Sequence, residues 1–334
     1  MIKENTPKVS VVMSVYKEPV EWLHESIDSI LNQTFSGFEY IIICDNPEYE
    51  EGILLLKGYA KKDNRIRLIF NKENIGLTKS LNIGISIAQG DYIARMDADD
   101  ISEAKRFEKQ LDFFESNPDF DFCSTSFSLI DEDGRVIKKL ANERFNDISY
   151  LFRLNPIGHS TVMFKKSILS LRVPLYNEIF RCEQDVELWS LMLISGIKMK
   201  IIGDVLVRYR ISPQQVSQKK NNTGKFNKGA VRRNLINSYL LNNHIITSDS
   251  VGTPSKMVEQ IEENALNTES INMNFIYNIL FILYYAMIAL NRRYFVDYLK
   301  SPYHLLFKLP LRDTCHLFLC FLGKVQIGLL YESK

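Results

Sequence analysis

Gly90-Asp91-Tyr92-Ile93-Ala94-Arg95-Met96-Asp97-Ala98-Asp99-Asp100 is the stretch from which the rest of the chain can be read. A short, largely apolar run, the length of one strand, opens after a glycine and an acid and stops at the carboxylates of Asp97, Asp99 and Asp100. Carboxylates this close repel one another unless a cation or solvent separates them. A strand ending in such a cluster carries its acids to the carboxyl edge of a sheet, where they can hold a divalent cation against a diphosphate.

Upstream, strand and helix alternate. Val9–Val15 reads as a strand apolar on both faces, opened by Pro7, and a helix follows over Glu21–Asn32. Tyr40–Cys44 is a second apolar strand ending at Asp45, followed by a helix over Glu51–Lys61 and a strand at Ile66–Phe70. Asn74-Ile75-Gly76 turns into a helix over Leu77–Ala88, with Gly90 as its closing glycine. Such alternation predicts an α/β fold, a mostly parallel sheet flanked by helices, with ligands beyond the carboxyl ends of its strands. Asp45 and Asp97 would share that edge.

Downstream, Ser102 is expected to cap a helix through Arg106–Leu111, and Asp100 to cap the same helix. Phe122–Ile130 and Val136–Leu140 flank the hairpin signal Asp131-Glu132-Asp133-Gly134. Ser160–Phe164 reads as a strand entered through Gly158-His159, and Gln184–Ile194 as a helix closed by Gly196. Strands at Lys198–Ile202 and Val205–Arg210 complete a domain spanning 1–213. The segments Arg144–Arg153 and Leu171–Arg181 read as loops over a second substrate. Residues 214–334 form a helical C-terminal region of different character. A basic, Asn-rich stretch (Lys219, Lys220, Lys225, Lys228, Arg232, Arg233) precedes the apolar runs Phe275–Leu290 and Cys315–Leu322. The first run is short of the roughly 20 residues a spanning helix needs. It is read as a buried helix, with a peripheral membrane anchor as the alternative, in which Arg292, Arg293 and the lysines would face anionic lipid.

Composition narrows the function. With 334 residues and 46% hydrophobic content the chain can bury a large core. A net charge of +1 gives no reason to expect nucleic acid. Five scattered cysteines without paired spacing argue against structural zinc and a disulfide framework and fit a reducing cytoplasm, and Met1–Pro7 does not read as a signal peptide.

The ordered motifs now form a set: Val9–Tyr16, Asp45, Asn74-Ile75-Gly76, Asn82, Gly90-Asp91-Tyr92, Arg95–Asp100, Arg106-Phe107, His159–Phe164 and Gln184–Trp189. Together, over about Lys8–Ser212, they resemble the family 2 glycosyltransferases with the GT-A fold, above all bacterial enzymes that build capsule, exopolysaccharide or O-antigen repeat units. Asp97-Ala98-Asp99 matches the Asp-x-Asp (DXD) motif of such enzymes. The resemblance implies an inverting, metal-dependent transferase at the inner face of the cell membrane, taking a UDP-sugar with Mn²⁺ or Mg²⁺ and a lipid-linked or polysaccharide acceptor.

It also implies roles. Ser14 and Val15 would line the base and ribose pocket through their backbone, with Glu18 and Asn74 nearby, and Asp45 would read the uracil edge. Asp97 would meet the ribose or the water shell of the metal, and Asp99 would ligate the metal. Asp185 would be the general base, with Glu183 and Glu187 close enough to compete for that role. Cys44-Asp45-Asn46-Pro47 and Gln184-Asp185 depart from the usual acidic turn and Glu-Asp pair. His159 fits either a satisfied strand-entry histidine or a contact to diphosphate or acceptor. Arg95 fits a partner to carboxylate or to phosphate, and Trp189, at i+4 from Asp185, fits packing beneath the base. Two other classes compete. A nucleotidyltransferase making nucleotide sugars would carry a Gly-rich, basic loop where Ser14–Pro19 stands, and so would a dinucleotide enzyme with its Gly-x-Gly-x-x-Gly. A non-catalytic nucleotide-sugar-binding scaffold would turn Asp185 away from the donor.

Overall fold

The computed structural model describes residues 6–142, 151, 155–180, 183–213, 222–264 and 273–290. The first half of its sheet is built from strands that are apolar on both faces. β1 (Val9–Val15) and β2 (Phe38–Cys44) are buried at every position, which a strand covered by helices on both sides requires. Two of the polar residues within them pair across the strands: Ser10 Oγ donates to Glu39 Oε1 at 2.6 Å. α1 (Val20–Leu31) buries Leu23, Ser26, Ile27 and Ile30, the spacing of one helical face. α2 (Glu50–Lys62), β3 (Ile66–Phe70), α3 (Leu77–Ser86) and β4 (Tyr92–Asp97) continue the alternation.

The remaining elements are β5 (Ile101–Ser102), α4 (Arg106–Ser116), β6 (Phe122–Ile130), β7 (Val136–Leu140), β8 (Met163–Lys165), α5 (Gln184–Ile194) and β9 (Met199–Arg210). Strand order is β3-β2-β1-β4-β8-β6-β9-β5, with β7 on β6. The longest ladders, β1 with β2, β1 with β4, β2 with β3 and β6 with β9, are parallel. Chain order reverses direction across the sheet between β1 and β4, the crevice where open α/β sheets bind ligands. Ser14 pairs with Asp97 in register there, and Val15 with Cys44, one residue before Asp45. All three motif strands therefore end at one edge.

The structure revises several local expectations. Gly90 does not close α3, which ends at Ser86. A Cβ at Gly90 would lie 2.7 Å from the backbone nitrogen of Ser10, so the glycine is demanded by close approach to β1. Ser102 and Asp100 do not cap α4. Ser102 pairs with Val207 in β5, and the amide of Phe107 in the first turn of α4 donates instead to Gln33 Oε1 at 3.1 Å. Asp100 is buried and accepts from the Arg210 amide at 2.9 Å. The expected strand over Ser160–Phe164 starts as a 3₁₀ turn, His159–Thr161, before β8. The two last strands are one, β9, with a register shift that accommodates Gly203-Asp204.

The chain divides into two compact units, 1–148 with 156–219, and 149–155 with 220–334. The second contains α6 (Asn222–Asn242), α7 (Pro254–Asn264) and α8 (Met273–Leu290), and α7 packs against α8. No helix among the described residues is long and apolar enough to cross a membrane. Arg292, Arg293, Lys219, Lys220 and the run Cys315–Leu322 lie outside the described residues, as do 143–150, 152–154 and 181–182.

Candidate active site

At the carboxyl edge of β4 the carboxylates take separate environments. Arg95 and Asp97 point to the same face of β4, two residues apart, and pair as an ion pair. Ser160 Oγ donates to the other oxygen of Asp97 at 2.6 Å. Burial opposes ionisation of Asp97, yet Arg95 and these hydrogen bonds hold its carboxyl below the usual range. Asp100 is the opposite case. Burial and the neighbouring Asp99 and Asp97 push its carboxyl well above the usual range. It also touches Ser160 Oγ. A hydroxyl has one proton to donate, so with Ser160 donating to Asp97 the proton on Asp100 completes the chain. Asp99 is half-buried, and its backbone oxygen accepts from Arg210 Nε at 2.9 Å.

Arg210 fixes this loop from below. Its buried guanidinium also reaches the carbonyls of Glu132 (2.8 Å) and Asp131 (3.2 Å) and the Glu25 carboxylate, and stacks 4.9 Å over Trp22. Sequence reading assigned no role to Arg210, Ser160 or Tyr176. Only Ser160, inside the His159 motif, carried a signal.

The nucleotide-side residues gather at the same edge. Both oxygens of the Asp45 carboxylate are used within the protein: Oδ1 accepts from Asn71 Nδ2 (2.7 Å) and the Ile75 amide (3.0 Å), and Oδ2 from the Gly76 amide (2.8 Å). Asp45 thereby shapes the Asn74-Ile75-Gly76 turn, where Asn74 is exposed and accepts from the Gly76 amide. Glu18 folds back to accept from the amides of Tyr16 and Lys17 (2.8 and 3.0 Å) just beyond Ser14 and Val15. Burial raises its carboxyl, and the charge of Asp99 adds to the rise.

On the other side, His159 Nε2 lies 2.7 Å from the Tyr176 hydroxyl. Burial and the Arg95 guanidinium push the imidazole down to about 3, against the pull of Asp97, so it is neutral. Asp185, in the first turn of α5, is pushed up to about 6 by burial and by Glu183, with Asp97 contributing. Asp97, Arg95, His159, Tyr176 and Asp185 thus form one electrostatic neighbourhood. Glu183 stands before α5 with a left-handed φ of 65°. Glu187 is neutralised by a two-pronged bond to Arg172 at 2.6 and 2.7 Å. Trp189 is wholly buried and edge-on to Phe122 at 4.9 Å. The segment Arg172–Phe180 is anchored by side chains of α3 and α5 and is not a free loop.

Among the described residues no group of His, Cys, Asp and Glu is arranged to hold a metal by itself. The donor set does fit a hard cation that takes one or two carboxylates and completes its shell from diphosphate and water. Asp97 is bound to Arg95 and Ser160 and Asp100 is buried, while Asp99 is half-buried at the same edge.

The chain matches the model of "Glycosyl transferase family 2" over residues 10–180. It is 40% identical to an uncharacterised glycosyltransferase of Methanocaldococcus jannaschii over 61% of this chain and 71% of that protein. It is 36% identical to the O-antigen biosynthesis glycosyltransferase WbnJ of Escherichia coli over 61% and 79%. Its structure resembles S. aureus TarS 1–349 in complex with UDP-GlcNAc, with a TM-score of 0.59 at 14% identity over 86% of this chain and 83% of that one. The GT-A fold and the enzyme class follow, and the nucleotidyltransferase reading is set aside. The match to the family model over residues 10–180, half of the chain, makes this chain a member of the family 2 glycosyltransferases.

Proposed function

We propose that this glycosyltransferase moves a sugar from a UDP-sugar to a hydroxyl of a lipid-linked or polysaccharide acceptor, with inversion, in cell-surface polysaccharide assembly at the inner face of the membrane. The observation that carries the reading is Asp185, a half-buried carboxyl at the start of α5 raised to about 6, in the field of Asp97 at the carboxyl edge of β4. A glycan hydroxyl is a poor nucleophile, so a base must take its proton as it attacks the anomeric carbon. A carboxylate raised towards neutrality does this better than an ordinary one. Asp185 holds that place, and Glu187, paired with Arg172, does not compete. One displacement gives inversion and needs no nucleophile from the enzyme.

Ser14, Val15, Glu18, Asp45 and Asn74 would line the nucleotide side. Asp45 acts there through the turn it shapes, as well as through any contact to the base. Asp99, with Asp97 behind it, would hold Mn²⁺ or Mg²⁺. That ion, when bound, offsets the charge that grows on the departing diphosphate. Neutral His159 can hold a hydrogen bond to substrate without adding charge, and Arg95 keeps Asp97 ionised. WbnJ, named for O-antigen biosynthesis, and TarS, solved with UDP-GlcNAc, support the pathway and the donor class respectively.

Calorimetric titration of UDP, GDP and dTDP, each with and without Mn²⁺, tests this. Tight binding of UDP that requires Mn²⁺ and is lost in Asp99→Ala is the expected result. UDP affinity indifferent to Mn²⁺ in both proteins would remove the metal assignment, and preference for another diphosphate would change the donor.

A further inference from the structure

Asn82 lies in the interior of α3, buried, where asparagine is a poor helix former because its amide competes for backbone partners. Its amide does find backbone partners, but in a distant segment. Nδ2 donates to the Tyr176 carbonyl at 2.9 Å, and Oδ1 accepts from the Tyr176 amide at 2.9 Å. Both backbone groups of one residue are thus paired as a neighbouring strand would pair them. Nδ2 also reaches Glu178 Oε1 at 3.2 Å, and one turn earlier Thr78 Oγ1 donates to the Phe180 carbonyl at 2.9 Å.

The same segment is tied at its other end. Arg172 bonds the Leu175 carbonyl (2.6 and 3.1 Å) and both oxygens of Glu187, two residues after Asp185 in α5. Residues 172–180 therefore run from the helix that starts at the Asp45-shaped turn to the helix that carries Asp185. Between the two anchors the Tyr176 ring is buried, and its hydroxyl meets His159. His159 in turn lies edge-on to Trp189, with ring centroids 6.0 Å apart.

We infer that Asn82 is a positioning residue for the transfer step: by gripping both backbone groups of Tyr176 it fixes the Tyr176–His159 pair and couples the nucleotide-side helix to the wall facing Asp185. This rests on the assignment of Asp185 as the base. Losing the grip leaves the nucleotide turn intact but lets Tyr176 and His159 drift, and small misplacements at a reacting centre cost rate more than binding.

The test has two arms on the full chain. Hydrogen exchange, without ligand, compares the wild type with Asn82→Ala. Faster exchange confined to peptides covering residues 172–180 and His159, with β1 and β2 unchanged, is expected. Turnover is then followed as UDP release to water from UDP-GlcNAc, UDP-glucose and UDP-galactose. Asn82→Ala should lower kcat roughly 10- to 100-fold with KM within about threefold. Tyr176→Phe should lower kcat as well, and the double variant should be no worse than the poorer single one, because both act through one element.

Unchanged exchange in residues 172–180, or losses that multiply in the double variant, would overturn the inference. A loss in KM alone would do the same. If the wild type turns over none of the three sugars, water does not replace the acceptor hydroxyl, and the donor reading is decided by the diphosphate titration. The exchange arm then still decides whether Asn82 fixes Tyr176 and His159.

Discussion

At the residue scale, the chemistry rests on carboxylates given different protonation states by their neighbours. Asp97 is kept ionised by Arg95, Asp100 is kept neutral by burial beside Asp99 and Asp97, and Asp185 lies between these extremes. Asp185→Asn should retain UDP binding and lose transfer by roughly 10²- to 10⁴-fold, the usual contribution of a general base. Near-normal turnover in that variant would move the base elsewhere. A base works only when deprotonated, so kcat/KM should climb as pH rises and level off above about 6, where the Asp185 carboxyl has lost its proton. Glu183→Gln removes the neighbouring negative charge that helps raise Asp185, so the break in the pH–rate profile should move to lower pH. A break that stays put would exclude Glu183 as the cause. Asp97 and Asp99 were singled out in the sequence because acids at a strand end stand out, and Asp185 because Gln184–Trp189 resembles a motif of the family. Tyr176 and Arg210 were not, and Ser160 only through its place in the His159 motif, since each acts through hydrogen-bond partners between 17 and 185 positions away in the chain.

At the element scale, strands of the first half were readable because burial on both faces leaves an uninterrupted apolar run, as in Val9–Val15 and Tyr40–Cys44. Their ends carried less information. The first turn of α4 is served by Gln33 from beyond α1, a cap that no local pattern announces. The bulge joining Lys198–Ile202 to Val205–Arg210 depends on the pairing of β9 with β6. Gly90 shows the same dependence, and it can be tested. Gly90→Ala would press a methyl against the backbone of Val9 and Ser10, at 2.8 and 2.7 Å, and should cost about 2 kcal/mol in urea unfolding. Gly58, inside α2 with nothing within 4 Å of its notional Cβ, is the contrast. Gly58→Ala should leave stability unchanged or raise it by up to about 1 kcal/mol. Equal effects at the two sites would mean that close approach is not what demands glycine at position 90.

At the scale of the whole molecule, the α/β unit and the helical unit differ in composition as well as in structure. The basic stretch from Lys219 to Arg233 underlies the proposal of peripheral attachment to the membrane, whereas the described side chains of α8 from Ile279 to Tyr284 are buried. The full chain should therefore float with phosphatidylglycerol vesicles, fail to float with phosphatidylcholine alone, and be released by added salt, because charges outside the bilayer are screened within about 10 Å at 0.1 M. Flotation indifferent to lipid charge would remove that proposal. The sequence by itself determined the α/β alternation, the edge at which strands end and the acids placed there, because apolar periodicity and residue type are local properties. Only the tertiary structure decided which acid is neutral, which carboxylate pairs with Arg172, and which residues bind the segment 172–180 between α3 and α5. Those outcomes depend on burial and on partners brought together by folding, and neither is written in any single stretch of the chain.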